Sequence, residues 1–185
     1  TSECIYDLLY TRNKYVLQVG RFDENKNQLN TIRALKDTGI DVVFVGGAHH
    51  SADMYYSKCL QEAEGCDQFH FLGWVLAQSD ELLSAYSNAE VLVVPSLYET
   101  FCMVILEGAV AGAKVALSNT LPIRDFAAFQ DCPSFNPSNV MDMRRAILEA
   151  YQAPKSDVLK NRVLEEFTWD GVISDHIRWY QELLK

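Results

Sequence analysis

The chain has 185 residues, of which 49% are apolar and 11% aromatic, enough for one domain with a sizeable core. Its formal net charge is −9, which argues against a nucleic-acid binder, whose footprint is basic, and against a surface that rests on anionic lipid. No apolar run reaches the roughly 18 residues of a membrane span, and no internal repeat or low-complexity segment is visible.

The N-terminal stretch Thr1 to Tyr10 carries Glu3 and Asp7 and no basic region, so it reads neither as a secretory leader nor as a natural start. Residues 1–13 are expected to be a linker remnant, and 14–185 the domain. Tyr15 to Val19 is a first strand, stopped by Gly20. Lys26 to Asp37 is a predicted helix with Leu29, Ile32 and Leu35 on one face. Asp41 to Val45 is a second strand, ended by Gly46-Gly47, and Ser51 to Glu64 a helix closed by Gly65. Gln68 to Leu72 is a short third strand, and Ser79 to Asn88 a helix. Val91 to Val94 is strand four, followed by a helix to about Ala111-Gly112. Lys114 to Leu117 is strand five. Asn119 to Phe129 is irregular, and Pro133-Ser134-Phe135 is a candidate strand six. Helices are predicted over Asn139 to Gln152, Asp157 to Phe167 and Asp170 to Leu184. The last has a wide apolar face, with stripes through Ile173, Ile177, Tyr180 and Leu184 and through Val172, Trp179 and Leu183.

Val-rich strands alternating with helices define the fold class: α/β, a doubly wound, Rossmann-like parallel sheet of about six strands with helices on both faces. A strand order of 3-2-1-4-5-6 makes strands one and four neighbours at the switch point, where ligands bind at the carboxyl ends. Gly20-Arg21-Phe22 and Pro95 to Glu99 stand at those two ends.

The second end opens the most informative segment, Glu99-Thr100-Phe101-Cys102-Met103-Val104-Ile105-Leu106-Glu107, two carboxylates with seven residues between them. In one continuous helix they would lie roughly 80° apart and share no face. Glu99 is therefore expected in the loop and Glu107 about two turns into the helix. Between them, the amides of Phe101 to Val104 are donors of a helix N-terminus, where anions bind. The arrangement suits a ligand with hydroxyls at both ends and a phosphate between; a pair of solvated surface glutamates is the competing reading. Arg21 and Lys26 bracket the loop after strand one, where a planar fork and a compact charge facing that helix start can hold a diphosphate. Ordinary loop cations beside Asp23 and Glu24 are the alternative.

Other chemistries find no support. There is no G-x-x-x-x-G-K-[ST], no G-x-G-x-x-G after strand one, and no D-x-D for a metal–diphosphate. The five cysteines have no C-x-x-C spacing, and their odd number reads as reduced, cytoplasmic thiols. Cys59 and Cys66 with His49, His50 and His70 fit no zinc spacing. No cofactor or metal is expected.

Gly20-Arg21, Lys26-Asn27, Val45-Gly46-Gly47, Phe71-Leu72-Gly73-Trp74-Val75 and Pro95-Ser96 before Glu99-Thr100-Phe101 to Glu107 stand in an order and spacing that resembles the C-terminal domain of retaining glycosyltransferases of family 4, the glycosyl transferases group 1. The resemblance covers nearly all of 14–185 and includes Phe167-Thr168-Trp169-Asp170 before the last helix. It implies one half of a GT-B fold that binds a nucleoside-diphosphate sugar and, in the whole enzyme, transfers the sugar with retention to a sugar or lipid-linked acceptor, in polysaccharide or glycolipid synthesis. The catalytic set it implies is Glu99, which contacts donor-sugar hydroxyls, with Arg21 and Lys26 on the diphosphate. Glu107 takes the ribose hydroxyls. Phe101, Cys102, Met103 and Val104 offer amides, Trp74 and Val75 lie near the base, and Gly20 and Gly47 lie at the strand ends. Such enzymes generally need no metal. The acceptor site belongs to an N-terminal domain absent from this chain, to which helix 170–185 crosses, and the fragment alone is expected to be inactive.

Three positions depart from the family pattern. Cys102 replaces the usual Gly and reads as a small packed residue or a reactive thiol at a helix N-terminus. Gly112-Ala113-Lys114 and Leu121-Pro122-Ile123-Arg124 replace Gly-x-Pro and Leu-Pro-Glu. Two other functions share the architecture: a non-catalytic sugar-nucleotide-binding module and a sugar-nucleotide epimerase.

Overall fold

A computed structural model describes residues 14–48 and 53–185; the expected linker, Cys4, His49 and His50 lie outside them. In chain order the elements are β1 (Tyr15–Val19), α1 (Gln28–Leu35), β2 (Val42–Val45), α2 (Asp53–Ala63), β3 (Phe69–Gly73), α3 (Asp80–Asn88), β4 (Ala89–Val94), α4 (Met103–Val110) and β5 (Lys114–Ser118). Two 3₁₀ turns, Pro122–Asp125 and Ala127–Phe129, fill the irregular stretch before β6 (Ser134–Phe135), α5 (Val140–Gln152), α6 (Val158–Glu166) and α7 (Trp169–Leu183). The strands form one parallel sheet in the order β3-β2-β1-β4-β5-β6, the order expected from the alternation of elements.

Strand side chains alternate between two cores, as the pleat requires. Leu17, Val43, Leu92 and Val94 face Ala85 and Tyr86 of α3, Ile105 and Ala109 of α4, and Val163 of α6. Val16, Phe44, Val91 and Val93 face Ile32 and Leu35 of α1, Cys59 of α2, and Met143 and Ile147 of α5. Both faces are covered, which is why the strands are apolar throughout. Phe22, just past β1, seals the second core against Phe44 and Phe71, whose rings stack on each other at 5.1 Å.

Helix starts follow side-chain caps. Ser79 Oγ accepts from Leu82 N–H, and Asn139 Oδ1 accepts from Met141 and Asp142 N–H, so the residues expected to open α3 and α5 are their caps. Two helices begin later than expected. The turn after β1 is closed by Asp23 Oδ1, which accepts from Lys26 N–H at 2.9 Å, and Asn27 is left-handed at φ 59. Helix α1 therefore starts at Gln28, and Lys26 belongs to the loop. Cys102 is also left-handed, at φ 65, so α4 starts at Met103 and Glu107 is its fifth residue, just over one turn in and not two.

Helix α7 has no buried residue, and Ile173, Ile177 and Trp179 are each 52% exposed. Its apolar face is uncovered. No helix among the described residues is long and apolar enough to cross a membrane.

The carboxyl ends of the first three strands converge on Gly46. Its N–H donates to Gly73 O at 2.8 Å, its φ is +133, and a Cβ there would lie 2.1 Å from Gly20 O. Gly46→Ala is expected to destabilise the domain by at least about 2 kcal/mol, since strain and a backbone clash add. Denaturant unfolding measures it.

Candidate functional site

Strands β1 and β4 are adjacent, with Val16 beside Val91 and Leu17 beside Leu92, so the loops that follow them meet above the sheet edge. Two asparagines stitch the loops together. Asn25 O accepts from Leu97 N–H at 2.8 Å, Asn25 Nδ2 donates to Tyr98 O, and Tyr98 N–H donates to Asn25 Oδ1. Asn27, buried, donates through Nδ2 to Pro95 O at 3.2 Å and Pro137 O at 2.8 Å. Sequence reasoning quoted Asn27 only as part of a motif and gave neither residue a role. The available signal was an Asn-x-Asn in a switch-point loop, since Asn tolerates the left-handed conformation and supplies paired donors.

The stitched loops bring Lys26 to Glu99. Lys26 Nζ donates to the Glu99 carboxylate, and the two side chains are 24% and 16% exposed. The Lys26 stem runs beside Gly20, where a Cβ would lie 3.5 Å from Lys26 Cδ. Arg21 faces elsewhere. Its Nε donates to Asp23 Oδ2 at 2.9 Å, and it lines a polar groove with Lys58, Tyr55 and Tyr98. The two cations expected to face one helix start are thus paired with separate carboxylates. Asp23 divides them, since it also accepts from the Lys26 amide.

The start of α4 lies against this pair. Glu99 and Glu107 both act on the Cys102 thiol, as does Lys26, so Cys102 sits among all three charges. Burial first, then the Glu99 charge, pushes this thiol up to about 11, and the residue packs against the first core. It is the packed residue of the two readings, not an activated thiol. The Met103 and Val104 amides have no intrahelical acceptor, while Ile105 N–H bonds Cys102 O. The Phe101 ring turns away to Phe126 and Phe167, 6.2 and 5.8 Å off, so of this residue only the backbone is placed to serve the site.

Glu107 is held from the side by a residue of the preceding helix, to which sequence reasoning gave no role in the site. Tyr86 Oη, on α3, donates to Glu107 Oε2 at 2.6 Å. Burial, then the bond to Glu107 and its charge, raises the Tyr86 pKa far above the usual phenol range, so the hydroxyl stays a donor. Beyond Glu107 lies a groove of about 500 Å³ lined by Ala77, Gln78, Leu82, Leu83 and Val110. The loop after β3 therefore reaches the groove through Ala77 and Gln78. Trp74 instead lies over Gly47, where a Cβ would meet its Nε1 at 2.3 Å, and Val75 packs on the first core. A separate cavity of about 210 Å³ near Lys114, Cys132 and Leu159 lies by the start of β5, at the other end of the sheet.

Among the described residues no group of three or more His, Cys, Asp and Glu is placed to hold a metal. Cys59 is buried and its thiol is pushed up to about 12 by burial, while His70 Nε2 bonds Asp41 Oδ1 at 2.8 Å.

The six-stranded doubly wound sheet, with its polar groups gathered at the β1–β4 switch point, is a Rossmann-like fold shared with GT-B glycosyltransferases. Sucrose-phosphate synthase from Thermosynechococcus elongatus superposes with a TM-score of 0.77 at 22% identity, over 100% of this chain and 49% of that one. An α,α-trehalose-phosphate synthase (UDP-forming) from Burkholderia xenovorans gives 0.76 at 14%, over 97% and 46%. The chain belongs to the glycosyl transferases group 1 family, whose profile matches residues 7–162. Its curated relatives include the uncharacterized glycosyltransferase MJ1607 of Methanocaldococcus jannaschii, 25% identical over 177 residues, and the lipopolysaccharide 1,2-N-acetylglucosaminetransferase of Salmonella typhimurium, 26% over 175. These matches cover 91% and 85% of this chain and 45% of each relative, so the chain spans about half their length.

Asn27→Ala removes a left-handed Asn and the donor to Pro95 O, while Pro137 O keeps Asn30 Nδ2 at 3.2 Å. It is expected to cost about 1–3 kcal/mol, as for one orphaned buried group, in thermal or denaturant unfolding. At Cys102 the left-handed backbone penalises about 1–2 kcal/mol in any residue with a Cβ, most in a β-branched one. Cys102→Val is therefore expected to destabilise by more than about 2 kcal/mol, and Cys102→Gly to stay within about 1 kcal/mol of the parent. Because the thiol is raised, peptide mapping should show Cys102 alkylated by iodoacetamide at pH 8 at least about tenfold more slowly than free cysteine, with the rate climbing toward pH 11.

Proposed function

We propose that this domain is the donor-binding half of a retaining, family 4 glycosyltransferase, which takes a sugar from a nucleoside-diphosphate sugar. The observation that carries the reading is the gathering of Lys26, Glu99, the first amides of α4 and Glu107 around one helix start at the switch point. The order of these groups matches the order of parts in the donor. Glu107, beside an apolar groove, takes the ribose hydroxyls, and the groove takes the base. The Met103 and Val104 amides, with the positive end of the α4 dipole, take the diphosphate. Lys26 exchanges part of its bond to Glu99 for a phosphate oxygen, and Glu99 then accepts from hydroxyls of the sugar.

As the anomeric C–O bond breaks, its electron pair leaves on the diphosphate, the acceptor hydroxyl oxygen bonds the anomeric carbon, and the proton of that hydroxyl passes to the leaving phosphate oxygen, while Lys26 with the helix amides stabilises the charge. Arg21 joins only by leaving Asp23, so its contribution is the smaller. These groups supply the counter-charge that a metal would otherwise provide, and no cofactor is called for. The apolar face of α7 crosses to an N-terminal half that holds a sugar or lipid-linked acceptor and closes the cleft against water. A cytoplasmic setting, with its reduced thiols and supply of activated sugars, completes the proposal.

Calorimetry tests it. The chain is expected to bind UDP, GDP or ADP weakly and to transfer nothing by itself; no heat with any of the three at millimolar concentration removes the donor-binding reading. Lys26→Ala should weaken diphosphate binding by about tenfold or more, as for a lost hydrogen bond to a charged group of about 1.5–3 kcal/mol, and leave nucleoside binding within about twofold. Arg21→Ala should do less. Equal losses of nucleoside and diphosphate affinity would refute the phosphate role. In the complete enzyme, Glu99→Gln should lower turnover more than donor affinity, a split read from kcat and KM.

A further inference from the structure

We propose that Tyr86 is the positioning residue for Glu107, and that the pair makes the groove select a ribose over a 2′-deoxyribose. The inference rests on the donor-binding reading of Glu107 and adds what fixes its carboxylate and what that fixing decides.

Glu107 lies on the solvent side of α4, and a glutamate there ordinarily samples many rotamers. An acceptor that wanders cannot tell one hydroxyl from two. Tyr86 is 3% exposed, and its ring belongs to the core that includes Ile105 and Ala109 of α4. Its bond to Oε2 is 2.6 Å, the short length of an O–H donor on a carboxylate. One oxygen of Glu107 is thus tied to a packed ring, which restricts where the carboxylate can lie. No described residue bonds Oε1, which remains for the groove together with the second lone pair of Oε2. A carboxylate so restricted accepts two vicinal hydroxyls side by side. A 2′-deoxyribose offers one and leaves an acceptor without its partner, and polar sites discriminate most strongly in just that way.

A bland account exists: a buried phenol must bond something, and Glu107 is nearest. The two accounts separate in the choice of ligand. Calorimetry on the protein with UDP, GDP and ADP and their 2′-deoxy counterparts gives the preference for the ribose form, expected to be about tenfold with the nucleotide that binds. Tyr86→Phe should weaken the ribonucleotide and leave the 2′-deoxy form within twofold, so that the preference falls below about twofold. In a Glu107→Gln background the same change should have no further effect. Phenylalanine fills the same space and the exposed Glu107 hydrates, so the variant is expected to fold; Tyr86→Met, a second filler without a hydroxyl, should give the same ratio.

A Tyr86→Phe protein that keeps the parent's preference overturns the inference, as does an equal loss in the Glu107→Gln background. A parent that binds the diphosphates with no ribose preference overturns it while the donor-binding reading stands. A parent that binds none of them overturns both.

Discussion

The adjacency of β1 and β4, locked by asparagine side chains across their loops, is the constraint on which the site depends. Parallel strands leave their carboxyl ends on one side, and a doubly wound order parts the crossovers at this pair alone. Adjacency by itself leaves two mobile loops. Asn25 bonds the backbone of Leu97 and Tyr98 as a short strand would, and Asn27 reaches Pro95 and Pro137 from below. Lys26 lies between those asparagines and meets Glu99 because it has little choice. Three loops are thereby held by groups that never need to touch a ligand.

The second constraint is the shape of the turn into α4. A left-handed residue at Cys102 ends the loop and starts the helix within one residue, which presents free amides beside Glu99. Glycine is the usual occupant in the family the chain resembles, and the backbone shows why: φ is +65 there. Cysteine tolerates the strain because its side chain is small and buries against the first core. The departure from the family pattern is thus a packing substitution that preserves the turn.

The nine-residue segment from Glu99 to Glu107 and the loop from Gly20 to Asn27 were legible as neighbours and as a candidate site before any geometry, because carboxylates, cations and a helix start rarely coincide at a switch point by chance. Their internal arrangement was not. The expectation that Arg21 and Lys26 face one helix start missed Asp23, which holds Arg21 by its side chain and Lys26 by its amide. Placing Glu107 two turns into the helix missed the left-handed Cys102. Trp74, which the resemblance put near the base, lies over Gly47, and Gln78, itself left-handed, lines the groove beside Glu107.

The sequence alone determined the fold class and strand order, because apolar runs at strand length separated by helical periodicity have few right-handed solutions. It determined which two loops carry the polar groups, because glycine and proline mark the strand ends. Only the tertiary structure decided which polar groups meet. Tyr86 and Glu107 are 21 residues apart on two helices, and Asn27 and Pro137 are 110 apart on two loops. Their hydrogen bonds depend on how helices seat on the sheet, and that seating is set by packing of both cores together, which no local pattern encodes.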